Sequence, residues 1–573
     1  MNRDELLIHP YPGLRPFLQE ESEVFFGRES QIETLIQNLL DTHFLAVVGT
    51  SGSGKSSLAR AGLFPALDDE FGDSRQEHFN VIKIRPGQDP FGDMARQLCG
   101  LGGNAESVDQ EMQHAFTLTT LKRGPLGLQK WWEEHQISGR LLLFVDQFEE
   151  VFRFRSLDPN EAIRFVKMLI ASAGQKTAPI FICLTMRSEF LGRCTEFRDL
   201  PEMINSGQYL IPRLRRNELR AAIEQPALFA GARLSPRLST RLLNEVGDNP
   251  DQLPILQHAL MRAFQNWQKD GKQKDPIDLQ HLEAIGGLNA ALGIHAEEIY
   301  EKLAEAEQAA ALALFRTISV LEGGVALRRP LRLDTVIKVT GQPADRIKNV
   351  IEAFRVADAS FLLPGLPDPL SDESVVDISH ESLIRRWPRL AHLVEEEAED
   401  AKAYLRLSES AKRNALQMAL FEKGAAPKPG EGYLISGMDL FATQALQKKK
   451  KLTEAWGKIQ GDSSADFSSA ISFLNASTAA DAHEKKRKLR SRKLLRLTAL
   501  AIGLLAIGMG IMAILAYSWF RDAKEAETLA QEQQEGLLSG YSKLLLNSDP
   551  TMNLCLLDYL VKDSTVQHAD SLL

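Results

Sequence analysis

Phe44-Leu45-Ala46-Val47-Val48, running into Gly49-Thr50-Ser51-Gly52-Ser53-Gly54-Lys55-Ser56, decides the fold. The apolar run that ends in glycine reads as a strand buried on both faces, the kind that parallel sheets use. The stretch after it satisfies G-x-x-x-x-G-K-[ST] in the context that motif needs, a strand before and a helical pattern after. Its glycines let backbone N–H groups turn inward around phosphates. The following helix points its positive end at them. Lys55 offers a charge to the β and γ phosphates, and the Ser56 hydroxyl is a magnesium ligand. Gly49, Thr50, Ser51, Gly52, Ser53, Gly54, Lys55, Ser56 and Ser57 are therefore expected to hold ATP or ADP with Mg2+.

Outward from this loop, residues 30–41 read as a helix with Ile32, Leu35, Ile36, Leu39 and Leu40 on one face, opened by a Ser30/Glu33 capping box. Further buried strands are expected at 81–84, 141–145 and 180–185, separated by helical patterns. That alternation predicts an α/β P-loop NTPase, a parallel sheet with crossover helices. The strand at 141–145 ends in Asp146-Gln147-Phe148-Glu149-Glu150. An acid at the end of a buried strand is the Walker B arrangement, so Asp146 is expected to hold magnesium through water. Glu149 or Glu150 is suited to orient or deprotonate the attacking water, with Glu150 the first choice. The strand at 180–185 ends in Met186-Arg187, and an arginine at a strand tip beside Asp146 is suited to reach the γ-phosphate and report its presence.

A chain of 573 residues is too long for one core. The expected division is a lead segment 1–27, an NTPase domain 28–215, a helical domain 216–310, a small α+β unit 311–400 and a helical, basic juxtamembrane region 401–494. A transmembrane helix 495–521 and a short outer tail 522–573 follow. The net charge of −9 argues against bulk nucleic-acid affinity. Cys99, Cys183, Cys194 and Cys555 lie far apart, which fits a reducing compartment and gives no sign of zinc or of a disulfide framework. Residues 1–10 carry no apolar run after a basic start, so no cleavable signal peptide is expected.

Residues 497–520 hold no charge, and 24 residues at about 1.5 Å rise can cross a hydrocarbon core of about 30 Å. Lys485, Lys486, Arg487, Lys488, Arg490, Arg492, Lys493 and Arg496 precede this run, whereas Arg521 and Lys524 beyond it are mixed with Asp522, Glu525 and Glu527. The excess of positive charge predicts a single pass through the cell (inner) membrane, with the N-terminal bulk in the cytoplasm and the C-terminus outside. A buried core helix is the alternative. In the tail, Asp549-Pro550 opens a helical pattern with Leu554, Leu557 and Val561 on one face.

Several segments together resemble the novel STAND NTPases, a branch of the AAA+-related signalling ATPases. They include Pro10-Tyr11-Pro12-Gly13-Leu14-Arg15-Pro16-Phe17, Phe25-Phe26-Gly27-Arg28-Glu29 and the P-loop running into Leu58-Ala59-Arg60-Ala61-Gly62-Leu63. Asp146 to Glu150, Leu253-Pro254-Ile255-Leu256-Gln257-His258-Ala259-Leu260, Ala284-Ile285-Gly286-Gly287-Leu288 and Ile378-Ser379-His380-Glu381-Ser382-Leu383-Ile384-Arg385-Arg386-Trp387 complete the set. The resemblance implies that 311–400 is a winged-helix domain, and that Phe26 and Arg28 line the adenine side. It also implies that Pro254 packs near the base, although Gln252 stands where the family's G-x-P motif has glycine and Pro226 is a competitor. His380 resembles the winged-helix histidine that touches the ADP phosphate in related switches. A core histidine is the other reading.

The function implied is a membrane-anchored signalling ATPase. ADP would hold it closed, ATP would open it and permit homo-oligomers, and slow hydrolysis would reset it. Its partners would be nucleotide, membrane lipid, other copies of itself and an effector or sensor protein that the sequence does not name. A DNA-acting AAA+ ATPase reading through the winged helix is the alternative, disfavoured by the acidic chain. A transporter is disfavoured by the single span and the lack of an LSGGQ-like signature. A dead nucleotide site is disfavoured by the intact Lys55, Ser56, Asp146 and Glu150.

Overall fold

The computed structural model describes residues 9–545 apart from 75, 88, 102–108, 156–157, 176–177, 248–251, 272–274, 357, 367, 424–433 and 450–451. The helical pattern at 549–561 and Cys555 lie outside the described residues.

Five parallel strands, β1 (Phe44–Gly49), β2 (Phe79–Ile84), β3 (Arg140–Val145), β4 (Ile180–Arg187) and β5 (Gln208–Leu210), form a sheet in the order β2-β3-β4-β1-β5. Every residue of β1 is buried. Its side chains alternate between two cores, as the pleat requires. Phe44, Ala46 and Val48 join a core with helices Pro90–Leu101 and Pro159–Gly174. Leu45 and Val47 pack on the other face with Leu35, Ile36 and Leu39 of helix Glu29–Thr42. Burial on both faces is the reason β1, β3 and β4 read as continuous apolar runs. β2 is different from the buried strand expected at 81–84: Asn80, Val81 and Lys83 are only half-buried at this edge of the sheet.

β4 lies between β1 and β3, with Gly49 opposite Arg187 and Val145 opposite Leu184. The strand order therefore sets the tip of β4 between the P-loop and Asp146. β4 runs past residue 185 and ends at Arg187, which is its tip. One expectation changes here. The Ser30/Glu33 capping box does not form: Arg28 is the N-cap with no side-chain cap, and the Ser30 hydroxyl donates to Gln31 Oε1.

Helices Arg216–Phe229, Pro236–Val246, Leu253–Lys269 and Gly287–Lys302 pack around a separate core. Helix Glu305–Thr317 runs through the boundary expected at 310. Its buried face, Ala310, Ala311, Leu314 and Phe315, belongs to the next core, shared with helices Leu333–Thr340 and Ala344–Arg355. That part also contains a hairpin of β6 (Ser319–Glu322) and β7 (Val325–Arg328), and an antiparallel sheet in the order β8-β10-β9 from Leu331–Arg332, Val375–Ile378 and Leu362–Leu363. Helix Pro388–Glu422 likewise continues across the boundary expected at 400.

The chain divides into two compact units, residues 1–409 with 442–469 and residues 410–441 with 470–573. Helix Ser464–Leu545 begins in the first and continues through the second, where it contains the apolar run 497–520. This helix is long and apolar enough to cross a membrane, and its most apolar window has no buried residue. Boundaries at 494 and 521 do not interrupt it.

Candidate nucleotide site

The P-loop leaves β1 at Gly49 and enters helix Lys55–Ser57 at Gly54. Gly52 and Gly54 have φ of +76° and +88°, a region in which a Cβ is strained, so glycine is required at both. Lys55 Nζ donates to the carbonyls of Gly49 at 2.9 Å and Thr50 at 2.6 Å. Burial pulls its pKa down to about 8, countered in part by Glu149. A third ammonium proton remains to point at a ligand.

Asp146 is 1% exposed and gathers three partners. Its Oδ1 accepts from the hydroxyls of Ser56 at 2.8 Å and Thr185 at 2.7 Å, and its Oδ2 accepts from the Arg60 guanidinium at 2.8 Å. Burial opposes its charge, but Arg60, Arg85 and the two hydroxyls outweigh burial and hold the carboxyl below its usual range. Among the described residues no group of three or more His, Cys, Asp or Glu side chains is arranged to hold a metal. The hydroxyl of Ser56 and the carboxylate of Asp146 are hard oxygens at the P-loop, and such a pair fits an ion that takes its other ligands from phosphates and water.

Directly after β3 the chain turns at Gln147, with φ of +57°. The turn is held by Thr185, whose hydroxyl accepts from Gln147 N at 2.9 Å and whose carbonyl accepts from Phe148 N at 2.8 Å. It separates the two glutamates. Glu149 lines a cavity together with Lys55, Thr185 and Arg187. Its Oε2 accepts from Arg187 N at 3.3 Å and its Oε1 lies 3.4 Å from Arg187 Nε. Glu150 does not line that cavity and instead accepts from Gly87 N at 3.3 Å. Burial raises the pKa of both, against Arg187 and Lys55 at Glu149 and against Arg85 and Arg328 at Glu150. The turn at Gln147 thus puts Glu149, and not Glu150, on the cavity.

The cavity, of about 210 Å³, also collects residues distant in sequence. Phe26, Arg28 and Pro254 line it, as do Ser379, His380 and Glu381. Arg28 is buried and donates to the carbonyls of Pro212 at 2.8 Å and Ser53 at 3.3 Å, which ties the loop after β5 to the P-loop. Pro226 is buried inside its own helix and does not line the cavity, in contrast to Pro254. His380 Nδ1 accepts from Ser382 N at 3.2 Å, which assigns the ring proton to Nε2. That Nε2 is buried without a partner among the described residues. Burial, followed by Arg328, Arg385, Arg187 and Lys55, lowers the pKa of His380 to about 3, so the ring is neutral. Arg187 donates to Glu381 Oε1 at 3.0 Å, joining the tip of β4 to the segment that follows β10.

The sequence matches the novel STAND NTPase 1 family over residues 10–417. The chain belongs to that family. It is thereby a nucleotide-dependent P-loop ATPase. A comparison with curated proteins returned no match. Among solved structures, Cdc6p from Pyrobaculum aerophilum is 13% identical, covering 65% of this chain and 94% of its own, with a TM-score of 0.31. The Aeropyrum pernix ORC2 protein, solved in ADPNP–ADP complexes, is 12% identical over 64% and 93% of the two chains, at 0.34. The Aeropyrum pernix ORC1 protein in complex with DNA is 13% identical over 66% and 97%, at 0.33. At such scores the superposition is loose, and no site residue is carried over from them.

This STAND NTPase has site residues that reading its sequence missed. Thr185 is one. A threonine in the apolar strand Ile180-Phe181-Ile182-Cys183-Leu184-Thr185 was the available signal, because a buried hydroxyl needs partners. Arg60 is another, which entered only as part of the family segment Leu58 to Leu63. The segment Pro12 to Phe17, used only as a family marker, lines the cavity and is tied to the P-loop helix by Phe17 N donating to Ser57 Oγ at 3.2 Å. Arg85 and Arg328 line it as well.

Proposed function

We propose that this STAND NTPase is a membrane-anchored switch that ADP holds closed and ATP opens for self-association, with slow hydrolysis as the reset. One observation carries the reading: a single cavity is lined by Lys55 of the P-loop, Glu149 of the turn after β3, Arg187 at the tip of β4, Pro254 of the helical region and His380 of the segment after β10. A nucleotide seated on the P-loop would touch all of these parts at once, so its phosphate count can bias how they pack. Mg2+, held by Ser56 and Asp146, would neutralise the phosphate oxygens. Lys55 would grip the β and γ phosphates, Glu149 would orient water, and Phe26, Arg28 and Pro254 would bound the base. The neutral Nε2–H of His380, without a partner among the described residues, is matched to a phosphate oxygen. Arg187, now shared by Glu149 and Glu381, would turn to the γ-phosphate in the open state.

On this reading residues 311–400, together with the start of helix Glu305–Thr317, are a winged-helix domain, with the β6–β7 hairpin beside helices Leu333–Thr340 and Ala344–Arg355. Residues 497–520 would be the membrane anchor, the basic run before them on the cytoplasmic side against anionic lipid. The test is the oligomeric state of the detergent-purified protein. Monomer with ADP and a larger assembly with a non-hydrolysable ATP analogue are expected, and the same state with both nucleotides would refute the switch. A DNA-acting ATPase would instead reveal itself by salt-dependent DNA binding of the same preparation.

A further inference from the structure

Asp146 is already balanced by a charge from the chain itself. Both of its oxygens are occupied, Oδ1 by two neutral hydroxyls and Oδ2 by Arg60 at 2.8 Å. The fold holds Arg60 firmly in place. It sits in a π-helical stretch, Leu58–Leu63, between helix Lys55–Ser57 and helix Phe64–Phe71. Such a stretch widens the turn and re-aims side chains, and it recurs at functional sites. Leu58, Ala59 and Leu63 anchor it in the core, and Gly62 lets it approach helix Glu29–Thr42 closely, since a Cβ there would meet Ile32 at 2.9 Å. The Arg60 side chain is 23% exposed against 2% for Asp146. Among the described residues, Arg60 Nε is buried without a partner, and Arg60 Nη2 is bonded to this carboxylate.

We propose that Arg60 is the standing counter-cation of Asp146, which lets the P-loop hold a nucleoside diphosphate when Mg2+ is scarce. This rests on the nucleotide site proposed above. A buried carboxylate next to bound phosphates repels them unless a cation stands between or behind them. Mg2+ supplies that cation when present. Arg60 supplies it at all times, from the side of Asp146 away from Ser56. Arg60 is thus a positioning residue that acts through Asp146, and its effect is felt most when Mg2+ is absent.

The experiment measures ADP affinity of the full chain in detergent, with excess Mg2+ and with EDTA, for the native protein, Arg60→Met and Arg60→Lys. For the native protein the two affinities are expected to agree within about threefold. Arg60→Met should lose on the order of tenfold in EDTA and much less with Mg2+, because one unbalanced charge then faces the phosphates. Arg60→Lys, which keeps the charge, should stay close to native in EDTA. If Arg60→Met weakens ADP equally in both conditions, or Arg60→Lys fails as Met does, Arg60 is structural and the inference falls. A native protein that itself needs Mg2+ for ADP also overturns it. No ADP binding by the native protein in either condition would instead remove the nucleotide site on which the inference rests.

Discussion

Replacing Glu381 by Gln removes one charge from the contact that joins the tip of β4 to the segment after β10, at constant shape. Arg187 Nη1 lies 3.0 Å from Glu381 Oε1, and the two side chains are only 18% and 8% exposed, so solvent screens the pair weakly. The amide oxygen of Gln can still accept from the Arg187 cation, so that bond stays charge-assisted. What is lost is the attraction between two charges, about 1 kcal/mol, or roughly fivefold in the closed-to-open ratio. Arg187 keeps Glu149 at 3.4 Å, which limits the damage to the contact with Glu381. The assay is ADP release followed with a fluorescent analogue, alongside the fraction of assembled protein in ADP. Glu381→Gln should speed release and raise assembly, and it should have no further effect in an Arg187→Ala background. Unchanged release and assembly, or an equal effect with Arg187 already gone, would show that this ion pair does not hold the closed state.

Three further outcomes are expected. Glu149→Gln should keep ATP bound and slow its hydrolysis by about a hundredfold, within the range of a lost general base, whereas Glu150→Gln should matter less; a single-turnover measurement with the order reversed would place the water on the other side of the Gln147 turn. His380→Ala should weaken ADP binding more than ATP binding, by roughly tenfold for a lost hydrogen bond to a charged phosphate. A lower melting temperature with both affinities falling together would make His380 a core residue instead. A reporter fused after Leu573 should be active only outside the membrane, and activity in the cytoplasm would reverse the topology drawn from the basic run before Leu497.

What the sequence settled by itself is local. The glycine and lysine pattern of the P-loop, the buried runs of β1, β3 and β4 and the acid closing β3 are all readable in one window, because φ restrictions and side-chain alternation act between near neighbours. Phe26, Arg28, Pro254 and His380 were picked out through family resemblance, and no periodicity pointed to them. Only the tertiary structure brings these residues to one cavity. Strand order decides that Thr185 and Arg187 stand between Lys55 and Asp146, since β4 could have been added at an edge with the same residues in it. The turn at Gln147 decides that Glu149 and not Glu150 lines the cavity. A widened helical turn aims Arg60 at a carboxylate 86 positions away, and packing of the later helices sets Glu381 against Arg187 across 194. Pairings of that separation depend on how whole elements cross. The residues concerned carry no local mark of their partner, so the sequence showed the loop that grips phosphate and the fold chose the charges around it.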